Sequence, residues 1–166
     1  MEPVEERAER LAKEYLRKYY GCSQTTLAAV ADALGMDAEQ VFKAMIGLAG
    51  GVGITGWGTC GALTGAAAAI SLYLGPDRRE YENTPEIRFK IYELCWEVAE
   101  KFKERFGGVT CWEVQRKLFG RHFNLRDSNQ LREFLDKGYI WRCDEVTGSA
   151  ARWAVEAIKR FKGGSR

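Results

Sequence analysis

GGVGITGWGTCGALTGAAAAI, Gly50 to Ile70, is the stretch whose reading decides the fold. Glycines at 50, 51, 53, 56 and 58 lead to Cys60, and an alanine-rich run follows. From Ala44 to Pro76 no side chain is charged, which is long enough to span a bilayer. The first half, however, is broken by Gly47 and the loop glycines, and lipid-exposed backbone needs continuous internal hydrogen bonding. The second half is mostly alanine, too weakly apolar to insert alone. The stretch therefore reads as a buried centre: a glycine loop, Thr59 as helix cap, and a central helix from Cys60 to about Leu74.

Working outward, the flanking segments are also helical. Val4, Ala8, Leu11, Ala12, Tyr15, Leu16 and Tyr19 fall on one stripe at helical spacing, and Gly21 stops that helix. Ser23 is the expected cap of a second helix with Leu27, Val30, Ala31 and Leu34 inward and Gly35 closing it. Asp37 and Gln40 form a capping-box pattern, with Met36 and Val41 as staple, for a third helix carried by Val41, Phe42, Met45 and Leu48. GPDRREYENTPE is a turn-rich connector. Thr84 and Pro85 then open a long amphipathic helix to about Phe106, with Ile91, Leu94, Cys95, Val98 and Phe102 on its core face. Thr110 and Glu113 make another capping box. A short helix near Gln130 to Asp136 and a final one, SAARWAVEAIKRF, complete the chain. No run alternates with period two. The expected class is all-α: one domain over residues 1–166, a helical bundle of about six to seven helices.

Composition narrows the function classes. The 166 residues are 46% hydrophobic and 29% charged, ordinary for a globular domain. A net charge of +2 gives no reason to invoke nucleic acid or an anionic membrane. The charged opening EPVEERAERLAKE is not a secretory signal, so a cytoplasmic protein without a membrane span is expected. In a reducing compartment the five cysteines are structural, metal-binding or redox-active rather than permanently bridged, and no two form a CxxC pair.

Four of the five share a position. Cys60 follows Thr59, Cys111 follows Thr110, Cys22 precedes Ser23, and Cys143 precedes Asp144, Thr147 and Ser149, each able to cap the last helix. Free backbone N–H groups and the positive dipole end at a helix start favour a thiolate, which is the nucleophile and the metal ligand. Cys95 lies inside a helix and reads as core packing. Gly58, Thr59 and Gly61 are the backbone expected to approach a cofactor or the other sulfurs closely.

Competing readings exist for the other signals. GVGITG and GWGTCG each match GxGxxG, but a capped helix precedes them where a dinucleotide site needs a strand. A glycine loop feeding a helix can also cradle phosphate. His122 reads as a surface or turn residue. Trp57, Trp96, Trp112 and Trp141 lie within three residues of a cysteine. Packing in a helical core accounts for them, with shielding of a sulfur site as the alternative.

GCSQ at Gly21 to Gln24, CGALTG at Cys60 to Gly65, then Cys111 and Cys143 resemble the C_GCAxxG_C_C family of redox-active proteins. Four ordered cysteines and a CGAxxG motif define that family, and the likeness covers roughly Leu11 to Phe161. The resemblance implies that Cys22, Cys60, Cys111 and Cys143 are the working set and leaves Cys95 outside. A similar four-cysteine module stands beside the haem-binding region of a split-Soret type cytochrome, where an iron–sulfur site has been suspected. CxxCH is absent here, so covalent haem is not expected.

Three uses of the four thiols follow. They can ligate an iron–sulfur cluster, most simply [2Fe–2S], for electron transfer with a redox partner protein. They can perform cofactor-free thiol–disulfide exchange as an oxidoreductase, with Cys60 as nucleophile and another of the four resolving. Or they can hold a structural zinc ion. Of the three, the cluster is the leading reading, and a homodimer is compatible with each.

Overall fold

The computed structural model describes residues 1–163. Nine α-helices and no strand occur among the described residues. They are α1 (Val4–Tyr19), α2 (Cys22–Leu34), α3 (Glu39–Ala44), α4 (Gly61–Leu74), α5 (Pro85–Phe106), α6 (Cys111–Phe119), α7 (Ser128–Asp136), α8 (Tyr139–Arg142) and α9 (Asp144–Gly163). The all-α expectation holds, with more and shorter helices than foreseen.

Helix α4 is the centre. Ala62, Leu63, Ala66, Ala69 and Ile70 are buried against α2, α9 and α5, which explains why this helix shows no polar face. Helix α1 packs on α2 and α9 through Ala8, Ala12 and Leu16. Its acidic first turn and basic last turn suit the helix dipole. Tyr19, counted on the inward stripe, is 61% exposed because the chain leaves the helix there: Tyr20 and Gly21 both have positive φ. Helix α5 buries Ile91, Leu94, Val98, Phe102 and Phe106, the last packed at a tilt against Trp153 of α9.

The helix starts depart from expectation in instructive ways. Ser23 does not cap α2; left-handed Gly21 does, and the Ser23 hydroxyl donates to the Met45 carbonyl at 2.8 Å. Thr59 does not cap α4. The N-cap is Cys60, and Thr59 bridges Thr110 instead. The third helix starts later than its capping box implies, because Asp37 serves only the Glu39 N–H, and it stops at Ala44 before a 3₁₀ turn over Ile46–Leu48. Thr84 sits at the N-cap of α5, but its hydroxyl donates backward to Glu80, closing a 3₁₀ segment over Arg78–Asn83 inside the expected connector. The Thr110–Glu113 capping box forms in both halves. The last helix begins at Asp144, five residues before SAARWAVEAIKRF, and the short α8 was not foreseen.

Candidate functional site: four cysteines around one cavity

Each of the four cysteines lies at a helix start. Cys22 opens α2, directly after the reversal at Tyr20–Gly21. Cys60 is the N-cap of α4, Cys111 opens α6, and Cys143 is wedged between α8 and α9. Cys60 and Cys111, far apart in sequence, meet because residues 56–60 pair with residues 109–112. Cys60 N–H donates to Val109 O (2.7 Å), Cys111 N–H to Gly58 O (3.1 Å) and Trp112 N–H to Gly56 O (3.0 Å). All four sulfur residues line a single cavity of about 260 Å³. Its other walls are mostly apolar, among them Ile54, Leu125, Leu131, Phe134, Ile140 and Val146. Cys95 is not among them; it lies half-buried on α5, beside Ser71 of α4.

The two glycines of CGAxxG are explained by closeness. A Cβ on Gly61 would stand 2.4 Å from Cys22 Sγ, and one on Gly65 would stand 2.5 Å from Ser23 O. One turn apart on α4, they form a flat strip on which the start of α2 lies. The loop before them runs left-handed through five successive residues, Gly50 to Ile54, including Val52 (φ 64°) and Ile54 (φ 54°). β-branched residues are held there at a cost of about 1–3 kcal/mol each. The winding turns the Gly50 N–H toward Cys22 and places Ile54 in the cavity wall.

The sulfurs are not equivalent. The Cys60 thiol donates to the Cys22 sulfur, which also receives N–H groups from Gly50, Ser23 and Gly61; together these outweigh burial and lower Cys22 to about 7. Having given its proton to that bond, Cys60 is held well above the usual thiol range, and burial adds to this. Burial and the charge on Cys22 push Cys111 up to about 12, against a hydrogen bond from Gln115. Cys143 is raised by burial and by the charges on Cys22, Cys111 and Asp144. Of the four thiols Cys22 is the one held low, because the Cys60 thiol and the N–H groups of the α2 start and the glycine loop converge on it.

Other expectations resolve as follows. Gly61 touches the Cys22 sulfur, whereas Gly58 and Thr59 do not line the cavity and serve the bridge to α6. The tryptophans do not build the core: Trp57 and Trp96 are each 69% exposed. Trp112 covers Gly56 and stacks on His122 at 4.3 Å, and Trp141 packs on Tyr20 at the cavity edge. His122 follows the α6 C-cap and accepts from Arg116. Two residues escaped sequence reasoning. Buried Gln115, one turn after Cys111, hydrogen-bonds its sulfur at 3.3 Å, a relation its i+4 spacing could have signalled. Buried Asp144 pairs with Arg17 of α1 and fixes the backbone next to Cys143. Among the described residues no three Cys, His, Asp or Glu side chains converge closely enough to hold a single metal ion.

Residues 20–157 match the family described as "Putative redox-active protein (C_GCAxxG_C_C)", so the match contains all four cavity cysteines. The chain belongs to that family. A C_GCAxxG_C_C assignment accounts for the helix-start cysteines and for both motif glycines at once. The chain is also similar, at 35% identity over 161 residues, to an uncharacterized protein of Archaeoglobus fulgidus, covering 95% of this chain and 97% of the relative. No solved structure matches. No helix among the described residues is long and apolar enough to cross a membrane.

Proposed function

We propose that this C_GCAxxG_C_C protein is a one-electron carrier whose cysteines 22, 60, 111 and 143 hold an iron–sulfur cluster. The observation that carries the reading is the sorting of the thiols: four open on one cavity and the fifth does not. The donor set fits. Four thiolates are the usual complement for a cluster, and backbone N–H groups aimed at sulfur tune its potential. A tetrahedral zinc site would need sulfurs about 3.8 Å from one another, given Zn–S bonds of about 2.3 Å. No three ligands among the described residues come together that way, so structural zinc is the weaker reading. The volume exceeds the roughly 150 Å³ that accepts a benzene ring, and its apolar walls keep water from sulfur. Bound there, a cluster would supply reversible electron transfer. The chain's own part is to orient four sulfurs, offset their charge with N–H groups and exclude water. Electrons would come from and pass to other redox proteins, in keeping with a cytoplasmic setting.

The hydrogen bond between Cys60 and Cys22 favours a second reading, cofactor-free dithiol exchange. Cys22 thiolate attacks one sulfur of a partner disulfide and the other sulfur leaves as thiolate. Cys60 then loses its proton and attacks Cys22 Sγ, releasing the second partner thiolate. The partner gains two electrons and the chain is left with a 22–60 disulfide.

Anaerobic purification with visible spectroscopy and assays of iron and acid-labile sulfide separates the two. A coloured protein that loses iron in Cys60→Ser but keeps it in Cys95→Ser is expected. A colourless, iron-free protein overturns the cluster reading, and a mapped 22–60 disulfide on mild oxidation would then favour exchange.

A further inference from the structure

Gln115 is only 2% exposed, yet it carries an amide into an otherwise apolar cavity. A buried amide is costly unless its groups are paired. Here its two ends are paired differently. The side-chain oxygen accepts from the Phe123 backbone N–H at 2.7 Å, and the nitrogen donates to Cys111 Sγ at 3.3 Å. A backbone N–H can only donate, so the amide oxygen must face Phe123 and the NH₂ must face sulfur. The orientation is therefore dictated chemically.

The anchor is also rigid. Phe123 is fully buried and packs with Phe119, Phe134 and Tyr139, ring centroids 5.1–6.2 Å away. Helix α6 supplies both Cys111 and Gln115 on one face, and the chain returns past Gly120 to close the other side. Cys111 needs such help: its N–H goes to Gly58 O, and its sulfur lacks the N–H cluster that Cys22 enjoys.

We infer that Gln115 is a positioning residue of the sulfur site: its amide, pinned by the Phe123 N–H, fixes where Cys111 Sγ points. The inference rests on the proposed function only in taking Cys111 as a working sulfur. In a loaded protein, an N–H donated to a ligand sulfur favours the reduced, more negative state and raises the potential.

The test uses the full chain. In reduced, chelator-treated protein at about pH 8.5, where a free thiol is half ionised, iodoacetamide labelling is followed residue by residue by mass spectrometry. Cys95 is the internal reference. Gln115→Met keeps the side-chain length and removes the donor; the Cys111-to-Cys95 rate ratio should fall about tenfold, since the hydrogen bond that aims the sulfur is worth about that factor. Gln115→Glu, which keeps an oxygen for Phe123, should lower it too and serves if Gln115→Met does not fold. Leu131→Val, elsewhere on the cavity wall, leaves Gln115 and its Phe123 anchor in place and should leave the ratio within a factor of about two. An unchanged ratio in Gln115→Met and Gln115→Glu overturns the inference, as does an equal fall in Leu131→Val. Where the protein carries iron, Gln115→Met should also shift the midpoint negative, a tenfold change corresponding to about 59 mV for one electron. Iron-free wild-type protein would sink the cluster reading and leave the labelling result to decide Gln115 alone.

Discussion

Replacing Gly61 with alanine tests the close approach on which the site depends. The new Cβ would stand 2.4 Å from Cys22 Sγ, 2.9 Å from Ser23 N and 3.3 Å from Ser23 Cβ, whereas Cβ contacts under 3.0 Å essentially do not occur. The sulfur cannot rotate away freely, because N–H groups of Gly50, Ser23 and Gly61 converge on it. Helix α2 must therefore shift or Cys22 must give up those bonds. Overpacking of this kind costs about 1–3 kcal/mol. Alanine recovers at most about 1 kcal/mol of helix propensity, and less at the first residue of a helix. The net loss is about 1–2 kcal/mol, or about 2–8 °C in Tm for a chain of this size. Gly47→Ala is the control, since it meets no atom within 4 Å and lies outside the left-handed region. Thermal melts of reduced protein, paired with iodoacetamide labelling of Cys22, supply the assay. The reasoning is refuted if Gly61→Ala melts with Gly47→Ala and Cys22 labels at the wild-type rate.

Further outcomes follow from the same contacts. Gly65→Ala should cost at least as much as Gly61→Ala, because the atom it meets at 2.5 Å is the Ser23 backbone oxygen; a smaller Tm loss would count against the helix contact. Thr110→Ala should lose about 1 kcal/mol by breaking the α6 cap, while Thr84→Ala, with no cap bond to its helix, should change urea stability by a few tenths; equal losses would refute the distinction. In reduced, metal-free protein, Cys22 ionises more readily folded than unfolded, so its contribution is fully present above the unfolded thiol range. It is lost as pH falls through about 7, by no more than about 2–3 kcal/mol. Cys60, Cys111 and Cys143 are raised, so their contribution is present at neutral pH and lost as pH rises above that range. Urea midpoints should therefore peak between about pH 7 and 9; a flat profile would show that the thiols titrate alike in both states.

The helices were legible because their signals are local. The stripe of Ala8, Ala12 and Leu16, the Thr110–Glu113 pair and the glycine closures at 35 and 107 each depend on residues within one or two turns. So, nearly, was the set of four cysteines, since a helix start is readable without its partners. Starts were misplaced where a tertiary bond claimed the capping group: Ser23 serves Met45, and Thr59 bridges Thr110. The unequal environments of the four sulfurs were hidden for the same reason. A flanking sequence shows which thiol lies near a helix end, but not that N–H groups from residues 50 and 61 reach the sulfur of residue 22. The tryptophans misled because adjacency to a cysteine in sequence says nothing about the side of the helix they occupy; Trp96 is next to Cys95 and points outward.

Four thiols around one apolar cavity cannot all ionise without a cation, and the unequal sulfurs show how the protein avoids it. Cys22 is the thiol held low, and a charge there adds to the burial that pushes Cys111 and Cys143 up. Cys60 is kept neutral by the proton it shares with Cys22. Such a site is a coupled system, in which removing one charge alters the others. Cys22→Ser should therefore make Cys111 and Cys143 easier to ionise, although burial still opposes them. Their labelling rates relative to Cys95, which has no charge contribution from Cys22, should rise in the reduced, metal-free chain. A conformational opening would also raise these rates, so Ala66→Val, which strains α4 away from the sulfurs, measures that contribution. If Cys22→Ser leaves Cys111 and Cys143 labelling at wild-type rates, the four thiols act independently. The cavity would then be a shared wall, not a shared electrostatic site.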